Sequence, residues 1–325
     1  MKKNESKYKL VVNHVIEGIQ KGTLKKGDWI PSINSFRKDY HLSRDTVFAG
    51  LSELKSRGII DSTPGVGYYV SSTKVPANRN IFLLFNELNE FKEDLYNSFI
   101  ASIDKKDTVD LYFHNYNRKV FETLIHDAMG KYTTYVIMSG KFSGLNKLLQ
   151  QIPGQVFLLD HFHPELTGKY ASVAQNFEKD TYEALNFGLA LIQKYQRIFM
   201  VQSQEKEPYE RYIGLEKFCE EQQMEHHLLD IIRDEAIHQG DLFIVVNDRD
   251  LVQLLKRAEK QQFVPGRDFG IISYNDTPLK EILAGGITTL STDFKKMGQT
   301  MAALIQKNQL ETIENPWELT IRKSL

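Results

Sequence analysis

From residue 81 onward the chain alternates short apolar runs with helical patterns, and this alternation limits the fold more than any other feature. The apolar runs fall at 81–85, 109–113, 135–138, 156–159, 197–201, 242–246 and 270–273. Helically spaced apolar residues separate them at 95–103, 121–129, 181–194, 211–222, 250–261 and 295–307. A strand that returns through a helix to another strand must lie parallel to it, so a parallel sheet with helices on both faces is expected. Seven such strands within residues 81–325 suit two α/β lobes better than one.

That architecture directs attention to the strand ends. In open α/β sheets, ligands sit beyond the carboxyl ends of the strands. The polar residues there are Asn86 and Glu87, Asp160 and His161, Asn247 and Asp248, and Asn275 and Asp276. Acids and amides gathered together suit a polyhydroxylated ligand, because each can bind paired hydroxyls. Any one of them alone is an ordinary turn former or helix cap. Lys and Arg are scarce in this set, which favours an uncharged ligand over a phosphorylated one.

The first 75 residues follow a different pattern. Tyr8, Val11, Val12, Val15, Ile16 and Ile19 recur at helical spacing and predict a helix over 5–21. Pro31 and Ser32 open a second helix over 32–40, and His41-Leu42 form a tight connection. Ser43 is placed to cap a third helix with apolar positions Val47, Leu51 and Leu54, and Gly58 to end it. Strands at 59–62 and 68–71 flank Pro64-Gly65-Val66-Gly67 and predict a hairpin, or wing. In a helix-turn-helix the second helix presents its N-terminal side chains to the major groove. Those side chains are Ser43, Arg44, Asp45 and Thr46, while Gly65 and Gly67 let the wing approach the minor-groove backbone. Residues 1–75 carry 13 Lys and Arg against 7 Asp and Glu, a net +6, and the remainder is acidic at −7. A basic first quarter suits a polyanion. The alternative is a three-helix interaction module that meets no DNA. The stretch 71–80 is polar, contains Pro76 and reads as a linker. The expected divisions are therefore a DNA-binding domain at 1–72, a linker at 73–80 and an effector domain at 81–325.

Other classes find little support. Cys219 is the only cysteine, so neither a disulfide framework nor a thiolate metal cluster is expected, and a reducing compartment, the cytoplasm, is the natural setting. No apolar run is long enough to span a bilayer, and no apolar h-region follows the basic N-terminus, so no membrane partner is expected. His161 and His163 lie near Asp160 and Glu165, but no third His stands at ligand spacing, so no metal and no cofactor are expected. His226 and His227 fall in a polar stretch and read as surface. Phe91, Tyr96, Phe162, Phe177 and Tyr274 could stack on a sugar face, though each alone reads as core. An enzyme would need a perturbed acid or base, and Asp160 with His161 is the best pair available; it is weak, and no enzyme is expected.

Two resemblances sharpen this picture. The segments Gly22-Thr-Leu-Lys-Lys-Gly27-Asp-Trp-Ile-Pro31-Ser32, Leu42-Ser43-Arg44-Asp45-Thr46-Val47, Leu54-x-x-x-Gly58-Ile-Ile60 and Gly65-Val-Gly67-Tyr-Tyr-Val70 resemble the DNA-binding domain of the GntR family. The resemblance implies a winged helix-turn-helix and adds Ser32 and Asn34 to the DNA-facing set. Two positions depart from it: Asn34 and Phe48 stand where the family often has Arg, and Phe48 is a residue that can pack instead of contacting DNA.

The segments Arg211-Tyr-Ile-Gly214, Val246-Asn247-Asp248, Val264-Pro265-Gly266-x-Asp268, Tyr274-Asn275-Asp276, Thr288-Thr289 and Met297-Gly298 are similar to the LacI-type effector domain, which shares the periplasmic sugar-binding-protein fold. This similarity implies two Rossmann-like lobes with an effector, usually a sugar, in the cleft. Carried over residue by residue, it makes Arg211, Asn247, Asp248 and Asn275 ligand contacts, with Asp180 beside them and Glu87 added from its strand end. Asn275 stands where Asp is commoner. A GntR-type reader joined to a LacI-type sensor resembles the arabinose-repressor type of regulator. The resulting expectation is a homodimeric repressor of carbohydrate utilisation that binds double-stranded operator DNA and a neutral monosaccharide. A purine, nucleoside or sugar phosphate is the alternative signal, and a sugar-processing enzyme with an appended DNA module is the rival from another class.

Overall fold

In the computed structural model, residues 7–73, 79–232, 237–307 and 309–325 are described. The expected linker falls largely, at 74–78, outside the described residues. The chain forms two compact units. One comprises residues 1–87, 103–159 and 166–171, and the other 88–102, 160–165 and 172–325.

The first unit begins with three helices, α1 (Lys9–Gln20), α2 (Ile33–Tyr40) and α3 (Arg44–Ser56), and an antiparallel hairpin of β1 (Ile60–Thr63) and β2 (Gly67–Val70). Ser32 caps α2 by accepting from the Ser35 N–H at 3.1 Å, and Ser43 caps α3 by accepting from the Thr46 N–H at 3.2 Å. Each cap satisfies a donor that the first helical turn leaves open. Gly58, at φ +65°, turns the chain out of α3 as a left-handed residue. Val11, Val15, Phe36, Val47, Leu51, Leu54, Ile59 and Val70 form the core of this small domain.

The chain continues through β3 (Asn80–Phe85), α4 (Glu90–Ser102), β4 (Thr108–Phe113), α5 (Arg118–Ala128), β5 (Thr134–Met138), α6 (Asn146–Leu149) and β6 (Gln155–His161). Strands β6, β5, β3 and β4 lie side by side in that order, all parallel. A core of Phe82, Leu84, Phe121, Ile125, Tyr135, Ile137 and Leu158 covers one face. Within this unit the last turn of α3 is tied to β3, because Asn80 Nδ2 donates to the Ser56 carbonyl at 2.8 Å.

The remaining elements are β7 (Ala171–Gln175), α7 (Phe177–Phe187), α8 (Leu189–Ile192), β8 (Arg197–Val201), α9 (Glu210–Gln222), β9 (Glu225–Leu229), β10 (Asp241–Val245) and α10 (Asp248–Gln261). They are followed by β11 (Gly270–Tyr274), α11 (Pro278–Ile282), β12 (Thr288–Thr292), α12 (Phe294–Lys307), β13 (Thr312–Glu314) and β14 (Trp317–Thr320). The sheet of the second unit runs β14-β12-β11-β10-β8-β9, parallel except for β14. Strand β10 shows why its sequence is apolar throughout. Leu242 and Ile244 enter the core with Leu215 and Phe218, whereas Phe243 and Val245 enter the opposite core with Leu251 and Leu254. Alternate residues face opposite sides of a strand, so burial on both sides requires an unbroken apolar run.

Where the seven expected strands lie, strands form. Five more, β7, β9, β12, β13 and β14, were not expected. His226 and His227, expected at the surface, lie on the edge strand β9, where both are partly exposed. Helix α7 starts at Phe177, one turn before the expected 181, because the Asn176 side chain caps it by accepting from the Lys179 N–H.

Candidate DNA-reading helix and effector site

Helix α3 buries Val47, Gly50, Leu51 and Leu54 and exposes Arg44, Asp45, Phe48 and Lys55. Arg44, Asp45 and Phe48 share one face, since residues three and four apart are neighbours on a helix. Thr46 is half-buried. In α2, Ser32 is the cap and Asn34 is exposed. At the wing, Gly65 and Gly67 take φ +76° and +152°, which only glycine adopts without strain. The structure corrects the suggestion that Phe48 packs. Its side chain is 54% exposed, because Val47 and Leu51 already fill the core-facing positions around it.

In the second unit Arg211 packs against Tyr274 at the end of β11. It projects from the first turn of α9 and is only 6% exposed. Its Cζ lies 4.5 Å over the ring of Phe177 and 4.8 Å over that of Tyr274, so the guanidinium rests against two aromatic rings. One terminal nitrogen donates to Glu207 Oε2 at 2.5 Å, one helical turn earlier. The Nε–H is buried and has no acceptor. Leaving such a donor unpaired costs about 1–3 kcal/mol, more for a charged group.

Tyr274 joins this arginine to the other candidate residues. The Thr181 hydroxyl donates to the Phe177 carbonyl at 2.7 Å, so the Tyr274 hydroxyl, 2.5 Å away, donates to Thr181. Burial pushes the Tyr274 phenol up to about 12, and it stays protonated. Its backbone carbonyl accepts from Lys280 Nζ at 2.7 Å. Lys280, 2% exposed, also donates to the Asn275 carbonyl at 2.7 Å and pairs with Asp248 Oδ1 at 2.8 Å. An ammonium has three donors, so all of them are used. Asn275 takes the left-handed conformation at φ +60°, and Lys280 holds that turn against Asp248. Asn247 is an exposed cap, its side-chain oxygen accepting from the Arg249 N–H at 2.7 Å. Asp276 forms a two-pronged pair with Arg322, which occupies its carboxylate.

Asp160 is buried at the end of β6. Its Oδ1 accepts from Gln175 Nε2 at 2.5 Å, and its Oδ2 lies 3.8 Å from Nζ of the buried Lys92. Beside it, His161 is pushed down to about 4, first by burial and then by His163, so it is neutral at pH 7. A neutral ring of that affinity for protons makes a poor general base at pH 7. Cys219 is buried in the core, and burial raises its thiol to about 12. Glu87 belongs to the first unit and is half-buried.

Asp180 lines a small pocket with Gln175, Phe177, Thr181, Tyr274 and Trp317. Its carboxylate accepts from the Asn176 N–H at 3.1 Å, yet burial, joined by Glu314 and Glu183, raises it to about 7; the Asn176 bond and Lys179 act in the opposite sense. Replacing Asp180 with asparagine is expected to stabilise the protein at pH 8 by roughly 1–2 kcal/mol. The full shift corresponds to about 4 kcal/mol, reduced here because the side chain is partly solvated. An acid with a raised folded pKa keeps its proton longer when folded, so stability is lost as pH rises from about 4 to about 7. Thermal unfolding of both proteins from pH 4 to pH 8 checks this. The advantage of Asp180→Asn should grow through that window and be absent near pH 4.

Sequence reasoning missed Lys92, Lys280, Glu207 and Gln202. Gln202 ends one residue beyond β8 and is buried, with its Nε2 donating to the Pro208 carbonyl at 3.1 Å and its Oε1 lacking a partner. Its position after an apolar run was the one signal available. Among the described residues, no His, Cys, Asp or Glu group is arranged to hold a metal, and no helix is long and apolar enough to cross a membrane.

A winged helix-turn-helix followed by two mainly parallel α/β sheets is the make of a transcriptional regulator rather than an enzyme. Residues 160–325 match the model of the periplasmic binding protein-like domain, and the chain belongs to that family; residues 7–70 match the bacterial regulatory proteins of the gntR family. The mannosyl-D-glycerate transport/metabolism system repressor MngR of Escherichia coli is 33% identical over 88 residues, which are 27% of this chain and 34% of that repressor. The chain thus matches about a third of that relative's length. A LacI family transcriptional regulator from Silicibacter pomeroyi superposes with a TM-score of 0.64 at 16% identity, covering 75% of this chain and 98% of that one. A LacI family regulator from Enterococcus faecium with bound ribose superposes at 0.61 and 19% identity, with 75% and 98% covered. At these identities the superpositions establish the fold.

Proposed function

We propose that the protein is a DNA-binding repressor of carbohydrate utilisation whose operator affinity is set by a neutral sugar bound at the strand ends of the second unit. The observation that carries the proposal is the buried Arg211 Nε–H without an acceptor, on a guanidinium fixed by two rings and a carboxylate. Such a donor suits a ligand oxygen. Three buried cations, Lys92, Arg211 and Lys280, each face a carboxylate, Asp160, Glu207 and Asp248. Their charge is already balanced, which favours a neutral ligand over a phosphate ester. Phe177 and Tyr274 spend a face each on the guanidinium, which disfavours a purine between them. The ribose-bound relative supports a sugar of similar size.

In this proposal Arg211, Asp248, Asn275, Asn247 and Asp180, all of the second unit, form the candidate ligand set. Ser32, Asn34, Ser43, Arg44, Asp45, Thr46, Gly65 and Gly67 meet the operator in the cytoplasm. A homodimer supplies two reading helices for two half-sites. The Asn80–Ser56 hydrogen bond gives the effector domain a direct hold on the reading helix. Coupling requires that the sugar bind the two states of the protein with different affinity, and it is reciprocal.

Thermal unfolding against free sugars, sugar phosphates and nucleosides tests this proposal. A neutral sugar at about 100 times its dissociation constant should add roughly 2.7 kcal/mol to the stability of the domain that binds it. It should also change operator affinity. Stabilisation by a phosphate ester or a nucleoside alone would overturn the neutral-sugar assignment.

A further inference from the structure

We infer that Phe48 is a specificity-determining residue that reads the C5 methyl group of a thymine in the major groove. The inference rests on the proposal that α3 is the helix that enters the groove. Phe48 lies one turn beyond Arg44 on the same exposed face, and the residue is 54% exposed. The core beneath is complete without it: Val47 and Leu51 are fully buried on either side. An aromatic ring left in water on the outer face of a reading helix is available to a partner outside the chain, and burying its surface there is favourable.

The chemistry of that partner follows from what phenylalanine lacks. The side chain has no donor and no acceptor, so it recognises neither a phosphate nor the polar edge of a base. Among the groups that base pairs display in the major groove, the thymine methyl is the apolar one. The surroundings identify DNA as the occupant. Residues 1–75 carry a net charge of +6, and Arg44 stands one turn away to anchor the helix on a guanine edge or a phosphate. Asp45, on the same face, would repel phosphate and suits the amino group of a cytosine. Arg44, Asp45 and Phe48 therefore present a cation, an acceptor and an apolar surface, three features that read different base edges.

The experiment uses the full-length chain. In vitro selection from random duplexes first supplies its operator, and each thymine of that site is then replaced singly by deoxyuridine. This change removes only the methyl group and keeps the base pair. Binding of each duplex is measured by fluorescence anisotropy at one salt concentration, for the wild type, Phe48→Ala and Arg44→Ala. At one thymine of each half-site the wild type should lose roughly fivefold in affinity, the magnitude of one buried methyl. Phe48→Ala should be indifferent to deoxyuridine there, and should bind the parent site about as weakly as the wild type binds the demethylated one. Its unfolding midpoint should match that of the wild type, because the side chain is outside the core. If every deoxyuridine costs both proteins the same, or if the selected site contains no thymine whose methyl matters, the assignment of Phe48 is overturned. If Arg44→Ala also binds as tightly as the wild type, the placement of α3 in the groove fails with it. If Arg44→Ala is weakened and the methyl effect is absent, the role of Phe48 fails alone.

Discussion

Replacing Arg211 with methionine is expected to weaken sugar binding by about a hundredfold, or 2.7 kcal/mol, and to leave operator affinity unresponsive to the sugar. A hydrogen bond to a charged group contributes about 1.5–3 kcal/mol, and here the donor is already desolvated and aimed. Phe177 and Tyr274 lie against the guanidinium and Glu207 holds one end, so little side-chain entropy remains to be lost on binding. Methionine fills similar space, and Glu207, being partly exposed, can turn to solvent when its partner is gone. The fold should therefore survive and operator binding without sugar should be near normal. Arg211→Lys separates charge from geometry. A lysine keeps the cation but has no Nε–H and no planar fork, so it should lose most of the sugar affinity as well. Calorimetric titration with the sugar found by thermal screening checks both variants. Retention of wild-type affinity by either one would remove Arg211 from the ligand set.

Much of the architecture was legible because the two-sided burial of a parallel strand is written in consecutive residues. Residues 242–246 have no polar interruption, and β10 lies there with both faces covered. The strands that went unseen have other reasons to be strands. Residues 225–229 read Glu-His-His-Leu-Leu, and β9 tolerates them because it is the edge of its sheet, with β8 on one side only. Residues 288–292 are rich in threonine, and β12 buries Thr288 and Thr289 by satisfying them locally. Thr288 Oγ1 donates to the Arg322 carbonyl at 3.1 Å, while Thr289 Oγ1 lies 3.2 Å from an Arg322 guanidinium nitrogen. A periodicity of apolar residues contains no trace of these bonds.

The same limit applies to the candidate site. Asp248, Asn275 and Arg211 were reached from the strand ends and from the resemblance. The lysines were not. A lysine on a helix reads as a solvent-facing residue, and what makes Lys92 and Lys280 exceptional is a carboxylate brought close by the fold from a distant stretch of sequence. Phe177 and Tyr274 were noted as aromatics able to stack on a sugar, but their guanidinium partner became visible only when α7, α9 and β11 were packed together. Phe48 shows the reverse case. Its departure from the family pattern was legible, but its exposure had to be seen.

Gly214 joins fold and site, and its replacement by alanine carries the second large effect. A β-carbon there would press into the Glu178 carbonyl oxygen and come within 3.1 Å of Thr181 Cβ, so glycine is what lets α9 lie directly against α7. Alanine is the better helix former by about 1 kcal/mol, which favours the variant. Overpacking costs about 1–3 kcal/mol, and the clash here falls at the upper end, about 3 kcal/mol, because a carbonyl oxygen within a helix cannot swing aside as a side-chain tip can. The clash should win, for a net loss of roughly 2 kcal/mol and a fall in the unfolding midpoint of about 5 °C for a domain of this size. The functional consequence follows from position. Arg211 lies one turn before Gly214 on the same helix, and Phe177, against which its guanidinium rests, lies on the helix that Gly214 approaches. Moving α9 outward by even a few tenths of an ångström loosens the contact that aims the Nε–H. Gly214→Ala should therefore lose sugar affinity as well as stability, with Arg211 itself unchanged. If the variant melts some 5 °C lower and still binds the sugar as the wild type does, helix packing and arginine placement are independent, and Arg211 is held by Glu207 and Tyr274 alone.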